Sequence, residues 1–227
     1  MKPPRPIDMY PKVLDEFSTM QRVVAGASLA RYGDGEFKLC EGSGIKSQDY
    51  HPTLAKRLRE ILHDSGDCLV GIPNIHSETP KKAYWSKHAD GFSRHLARRP
   101  YVSAFVSRAD SAPWINDAPY WDLVEHIWRG KDVTLVRGSG KAFKPPLLIG
   151  AGAITEIFGP KRNAWSSYDE LMERIGTPEV AILCLGPTAT VMAVDLCRKG
   201  VHAIDSGHMG RYFRDRVRDH ADEEQAA

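Results

Sequence analysis

Charge of one sign is what this 227-residue chain has least of: 31 lysines and arginines stand against 29 aspartates and glutamates, for a net charge of +2. So even a balance calls for neither a nucleic acid nor an anionic membrane as partner, and any basic site must be local. Cysteine is scarce too. Cys40, Cys68, Cys184 and Cys197 show no C-x-x-C spacing, and the last two fall in an apolar strand pattern and a helix pattern, where they read as small packing hydrophobes. That usage predicts a reducing compartment. Long apolar runs are missing: the longest, residues 147–158, is broken by glycines and too short to span a bilayer. The opening MKPPRPIDMYPK also lacks the apolar centre of a signal peptide, so a cytoplasmic protein without a transmembrane segment is expected. No internal repeat is present. Nor is a complete phosphate loop: Gly138-Ser139-Gly140-Lys141 lacks the full G-x-x-x-x-G-K-[ST] pattern, which disfavours a nucleoside triphosphatase.

What is present reads as one α/β domain over residues 11–219, between a Pro-rich flexible segment at 1–10 and a disordered tail at 220–227. Val13, Leu14, Phe17, Met20 and Val24 recur at helical spacing and predict an amphipathic helix over 11–24. Strands are expected at 29–32, 68–72, 101–106, 133–137 and 155–158, with helices opening at His51 and spanning 84–96, 119–130 and 168–175. The helix aromatics are assigned to the core. Trp114, Trp121 and Trp128 repeat every seven residues and read as packing, with acceptor binding as an option. The most regular signal lies near the end. VAILCLG, PTATVMAVDLCRKG and VHAID form strand, helix and strand, with Pro187 in the first turn and Gly200 as the stop, a βαβ unit that implies parallel pairing.

The chemistry gathers at two places. Leu29 to Tyr32 read as a strand that Gly33-Asp34-Gly35-Glu36 breaks, so a glycine turn holds two carboxylates, hard oxygen ligands for Mg²⁺ or Mn²⁺. Arg31 adds a phosphate-competent cation. The last strand delivers Asp205 and then His208 to the same edge, because parallel strands present their carboxyl ends on one side, where open α/β sheets bind ligands. Ser107 and Arg108 end a third strand at that edge, and Gly186 with Thr188 puts N–H groups and a hydroxyl at a helix N-terminus, a seat for a pyrophosphate. An ordinary Asp-Gly turn and an ordinary helix cap are the structural alternatives. On the polar loop 41–50, Lys46 and Gln48 are within a loop's reach of a ligand. Arg211, Arg214, Arg216 and Arg218 follow on a helix as a solvated basic face or an anion-binding wall.

Taken together, RYGDGEF at 31–37, Gln48, FVSR at 105–108, LGPTATVMAVDL at 185–196 and AIDSGHMGRY at 203–212 resemble the GT-D family of bacterial glycosyltransferases. The resemblance spans nearly the whole chain, and its most specific elements are the Asp-x-Glu turn and the Asp-x-Gly-His segment. It implies a single Rossmann-like domain with a mainly parallel sheet flanked by helices. It also implies an Asp-x-Glu motif holding Mn²⁺ or Mg²⁺ on a UDP-sugar donor, with a hexose such as glucose passed to a hydroxyl of a glycan, a lipid-linked glycan or a protein. Carried over residue by residue, Asp34 and Glu36 become the metal carboxylates, and Arg31, Gly33, Gly35, Gln48, Ser107, Arg108, Gly186, Pro187 and Thr188 become donor contacts. His208, with Asp205, stands beside the reacting sugar. A homo-oligomer stays open.

Two other classes compete. A metal-dependent phosphoesterase or pyrophosphatase would use the same Asp34, Glu36, Asp205 and His208 with water as nucleophile, although such enzymes usually need a denser cluster for two metals. A non-catalytic nucleotide- or glycan-binding module would hold the donor without regard to metal.

Overall fold

In a computed structural model the protein is described over residues 10–138 and 142–216. The expected flexible residues 1–9, Ser139-Gly140-Lys141 of the GSGK run, Arg218 and the expected tail at 220–227 lie outside the described residues. Tyr10, assigned to the flexible segment, is instead buried, and its hydroxyl donates to the Pro73 carbonyl at 3.0 Å.

Eight strands form one all-parallel sheet: β1 Val13–Leu14, β2 Leu29–Arg31, β3 Leu69–Ile72, β4 Tyr101–Ser103, β5 Val133–Arg137, β6 Ile154–Phe158, β7 Val180–Cys184 and β8 His202–Asp205. Their spatial order is β1-β4-β3-β2-β8-β7-β5-β6. The chain therefore winds outward from β2 on one side and returns to β8 on the other. The seam between β2 and β8 is where the direction of winding changes, the place where a crevice opens at the strands' carboxyl ends.

Helices α1 Glu16–Val24, α2 Asp34–Cys40, α3 Pro52–His63, α4 Lys82–Ser93, α5 Ala118–Glu125, α6 Tyr168–Ile175, α7 Pro187–Cys197 and α8 (209–216) cover the sheet. Helix α7 is buried on nearly all its faces, from Pro187 through Leu196, which explains why its sequence is apolar all round. It packs behind the seam as the crossover between β7 and β8. Gly200, at φ +81°, ends the crossover as the spacing predicts.

The helix expected over 119–130 ends at Glu125 and the one expected over 84–96 spans Lys82–Ser93. Three further departures from expectation each arise because a side chain captures a backbone group. The first helix starts at Glu16, not at residue 11: the Asp15 carboxylate accepts the Ser18 N–H at 2.8 Å, capping α1 and leaving Val13 and Leu14 to pair with β4 as an edge strand. Strand β4 stops at Ser103, whose hydroxyl oxygen accepts the Phe105 N–H and donates to buried Glu16, and residues 104–107 wind into a 3₁₀ turn. The Gly33-Asp34-Gly35-Glu36 stretch is the start of α2 and not a free turn. Trp121 and Trp128 pack edge-on against Phe213, while the Trp114 indole N–H donates to Glu16, so these tryptophans are structural.

Candidate functional site

A cleft of about 300 Å³ opens over the carboxyl ends of β2, β8, β7 and β5. A glycine caps the helix in each of two walls, and at Gly186 the positive φ requires it. Gly33 is the N-cap of α2, and Glu36 reaches back so that its Oε2 accepts the Gly33 N–H at 2.7 Å. On the opposite wall Gly186, at φ +57°, caps α7, and Pro187 fills the first turn, where a missing N–H costs nothing. Both helices thus point their N-termini toward the cleft, and Asp34 and Glu36 lie in the first turn of α2, where its dipole favours negative charge.

Asp34 lines the cleft and accepts hydrogen bonds at Oδ2 from Lys38 Nζ and from the Tyr84 hydroxyl, each at 3.0 Å. Partial burial works against its charge, yet those two donors hold its carboxyl below the usual range. Glu36 goes the other way. Burial, reinforced by the charge of Asp205, pushes its carboxyl up to about 7 against the pull of the Gly33 N–H and of Arg31. Two carboxylates two residues apart are thus shifted in opposite directions.

Arg31 ends β2 and is fastened to β8 and to the turn after β4. Its Nε donates to the Asp205 carbonyl at 2.6 Å, Nη2 to Asp205 Oδ1 at 3.0 Å, and Nη1 to Ser107 Oγ at 2.5 Å. The guanidinium expected beside phosphate is therefore shared among protein acceptors, although it still borders the cleft. Asp205 is spent in the same way. Its Oδ2 lies 3.1 Å from the Thr190 hydroxyl, so both oxygens are engaged within the protein and the residue positions Arg31; it is poorly set to take a substrate proton. Ser107 is fully buried beneath Arg31 and does not line the cleft.

Of the other expected residues, Gly33, Gly35, Arg108, Gly186, Pro187 and His208 line the cleft. Arg108 is braced by Asp110 through two bonds of 2.8 and 2.9 Å, and Asp110 also accepts from Lys81. Gln48 and Thr188 do not line it. The Gln48 amide is buried, donating to the Asp49 carbonyl and accepting the Trp165 N–H, and the cleft meets Ile45 and Ser47 instead. Thr188 is buried behind Pro187, its hydroxyl without a partner among the described residues. Arg211 and Arg214 turn to Asp215 and form no anion wall at the cleft. Lys161 and Ser47 border the site unannounced by any motif. The loop carrying Ser47 is fixed from across the chain: the Asn163 N–H donates to the Ser47 carbonyl at 2.9 Å, and Arg162 and Asn163 both bind the Asp49 carboxylate.

Among the described residues no group of three or more histidine, cysteine, aspartate or glutamate side chains is gathered to hold a metal ion. None of the helices is long and apolar enough to cross a membrane, again among the described residues.

The profile of the glycosyltransferase GT-D fold matches residues 29–220, nearly the whole of this cleft-bearing sheet. A probable glycosyl transferase, Gly, of Streptococcus gordonii is 32% identical over 211 residues, covering 81% of this chain and 30% of its own length. The glycosyltransferase GlyD of Streptococcus pneumoniae serotype 4 is 29% identical over 225 residues, covering 90% of this chain and 27% of its own. The chain thus spans less than a third of either protein. Two solved structures share the architecture. One, described as a highly conserved domain of unknown function 1792 with a distinct glycosyltransferase fold, superposes with a TM-score of 0.80 at 32% identity, covering 91% of this chain and 81% of that one. The other, described as a new glycosyltransferase from Streptococcus sanguinis, gives a TM-score of 0.76 at 27% identity over 89% of this chain and 84% of that one.

Proposed function

Because the chain belongs to the GT-D family of glycosyltransferases, we propose that it moves a hexosyl group from a UDP-sugar to a hydroxyl of a glycan or protein acceptor, with a divalent cation held by Asp34 and Glu36. The observation that carries this reading is the position of those two carboxylates. They sit on one wall of the cleft at the β2–β8 seam, facing the N-terminus of α7.

The donor set fits a hard cation. Asp34 is partly exposed and charged, and Glu36, with one oxygen on the Gly33 N–H, carries a charge that burial and Asp205 disfavour and a cation would relieve. Two carboxylates without a closed cage of protein ligands suit Mg²⁺ or Mn²⁺, which keep positions for water and substrate phosphates. When bound, the cation supplies charge stabilisation to a departing diphosphate.

The chain's own residues supply the rest. Arg108, held in place by Asp110, and the N–H groups at the start of α7 offer a pyrophosphate a cation and a dipole that need no reorganisation. Asp205 and Ser107 hold Arg31 rigid at the floor. His208, following Asp205 and Gly207 into the cleft, takes the acceptor proton.

A screen of nucleotide sugars by mass detection of released nucleotide tests the whole reading. UDP release that requires an added hydroxyl acceptor and a divalent cation supports it. Release at equal rate into water alone would assign hydrolysis, and binding without turnover, insensitive to metal, would assign a binding module.

A further inference from the structure

Among the described residues three lysine and arginine side chains line the cleft: Arg31, Arg108 and Lys161. Arg31 is shared between Asp205 and Ser107, and Arg108 is closed on Asp110. Lys161 is exposed, and its ammonium meets no acceptor among the described residues. Its backbone, by contrast, is fixed on both sides. Lys161 sits in the turn after β6. Just before it, the Gly159 N–H donates to the Arg137 carbonyl at 3.1 Å, and the Pro160 carbonyl lies so close to Gly138 that a Cβ there would collide with it. Just after it, Arg162 donates to Asp49 Oδ1 at 2.6 Å and Asn163 Nδ2 to Asp49 Oδ2 at 2.8 Å, while Asn163 Oδ1 accepts the Asp49 N–H at 2.7 Å. Asn163 holds φ +56°, a left-handed position that asparagine tolerates. These bonds tie the turn to the loop carrying Ser47, which also lines the cleft. Ser47 Oγ lies beside the N-terminus of α7, 3.6 Å from where a Cβ on Gly186 would stand. Two loops far apart in sequence thus make one wall that presents an ammonium and a hydroxyl.

We propose that Lys161 and Ser47 are an anion subsite for the phosphate oxygens of a diphosphate, set across the cleft from Asp34 and Glu36. This deepens the donor reading above and rests on it only for UDP as the source of the diphosphate. The sheet order supplies the placement: β8 separates β2, which leads into Asp34 and Glu36, from β7 and β5, whose exits at Gly186 and Gly138 the two loops cover. A diphosphate entering with a divalent cation on the α2 side keeps negative charge on its far oxygens. Arginines already closed on carboxylates offer those oxygens less than a cation without a protein acceptor. Lysine suits the place, since its ammonium is a point charge with three donors on a flexible stem, here rooted in a fixed backbone. Ser47 adds a hydroxyl donor next to the N–H groups that open α7.

The test has two arms, both on the full chain. In the first, acetic anhydride labels lysines with and without excess inorganic pyrophosphate, and peptide mass mapping gives the extent at each site. Pyrophosphate should protect Lys161 while leaving the exposed Lys87 and Lys199 unchanged. This arm needs neither UDP nor a variant, so protection without any UDP binding would keep the subsite and remove only the UDP reading. Labelling of Lys161 that pyrophosphate does not slow would overturn the subsite. In the second arm, UDP with Mn²⁺ and then uridine are titrated calorimetrically into the unaltered chain, Lys161→Met, Lys161→Arg and Ser47→Ala. UDP should weaken about tenfold in Lys161→Met and about threefold in Ser47→Ala, with most of the affinity kept in Lys161→Arg. Uridine, which has no phosphate, should bind all four alike. UDP affinity undiminished in Lys161→Met, or an equal loss for uridine, would overturn the assignment while leaving a metal-held donor at Asp34 and Glu36 standing.

Discussion

Arg31 and Asp205 meet across the β2–β8 seam, with Nη2 3.0 Å from Oδ1 and both side chains largely withdrawn from solvent. An ion pair placed so deep must keep both members, since removing one leaves the other charged and unpartnered. Arg31→Met should cost about 3 kcal/mol or more of stability, while the double variant Arg31→Met with Asp205→Leu should recover a large part of it. Urea denaturation of the three proteins measures both values, and additive losses would show that the pair is not coupled.

Gly207 lies against that pair. At φ +46° it occupies the left-handed region, and a Cβ there would stand 1.8 Å from Arg31 Nη2. Gly207→Ala should therefore destabilise by about 2 kcal/mol from strain and overpacking together. Because the clash falls on Arg31 at the floor of the cleft, donor turnover should fall as well. A thermal scan with a turnover assay checks both, and unchanged turnover would place the adjustment away from the cleft.

Lys38 competes with any cation for Asp34 Oδ2. The pair is exposed, so its contribution is at most about 1 kcal/mol. Lys38→Met should tighten the Mn²⁺ concentration giving half-maximal turnover by up to about fivefold. A weaker metal requirement for the unaltered chain than for the variant would reverse the assignment of Lys38 as a competitor.

Asp110 sets a pH dependence. Partial burial raises its carboxyl, but hydrogen bonds from Arg108 and Lys81 outweigh that and hold it far below the usual range. A carboxylate lowered on folding contributes stability above its unfolded value of about 3.9, lost as pH falls below that value toward the folded one. The stability gap between the unaltered chain and Asp110→Asn should thus be full at pH 5 and above and shrink below about pH 4. Urea midpoints at pH 3, 4, 5 and 6 give the curve, and a constant gap would mean that charge plays no part.

The βαβ unit at residues 180–205 was legible because its punctuation is local: Pro187 opens the helix, Gly200 closes it, and the first strand, Val180–Cys184, is an uninterrupted apolar run. The edge-sharing of Asp34, Glu36 and His208 followed from that, since parallel strands leave no choice of side. What could not be read was side-chain commitment. Arg31 looked available to phosphate because Asp205 and Ser107, which hold it, lie 174 and 76 positions away. Gln48 looked like a loop contact because its partner at Trp165 comes from the other half of the chain. Gly33-Asp34-Gly35-Glu36 read as a turn because helix-poor glycines mask a capping pattern in which Glu36 bonds the Gly33 N–H.

The most direct measurement is calorimetric titration of UDP into the protein with Mn²⁺ present, repeated with chelator and with Asp34→Asn. Binding to the unaltered chain that is lost with chelator and weakened at least tenfold in folded Asp34→Asn is the predicted result. Equal UDP binding in all three samples would contradict a metal-held donor at the α2 wall of the cleft.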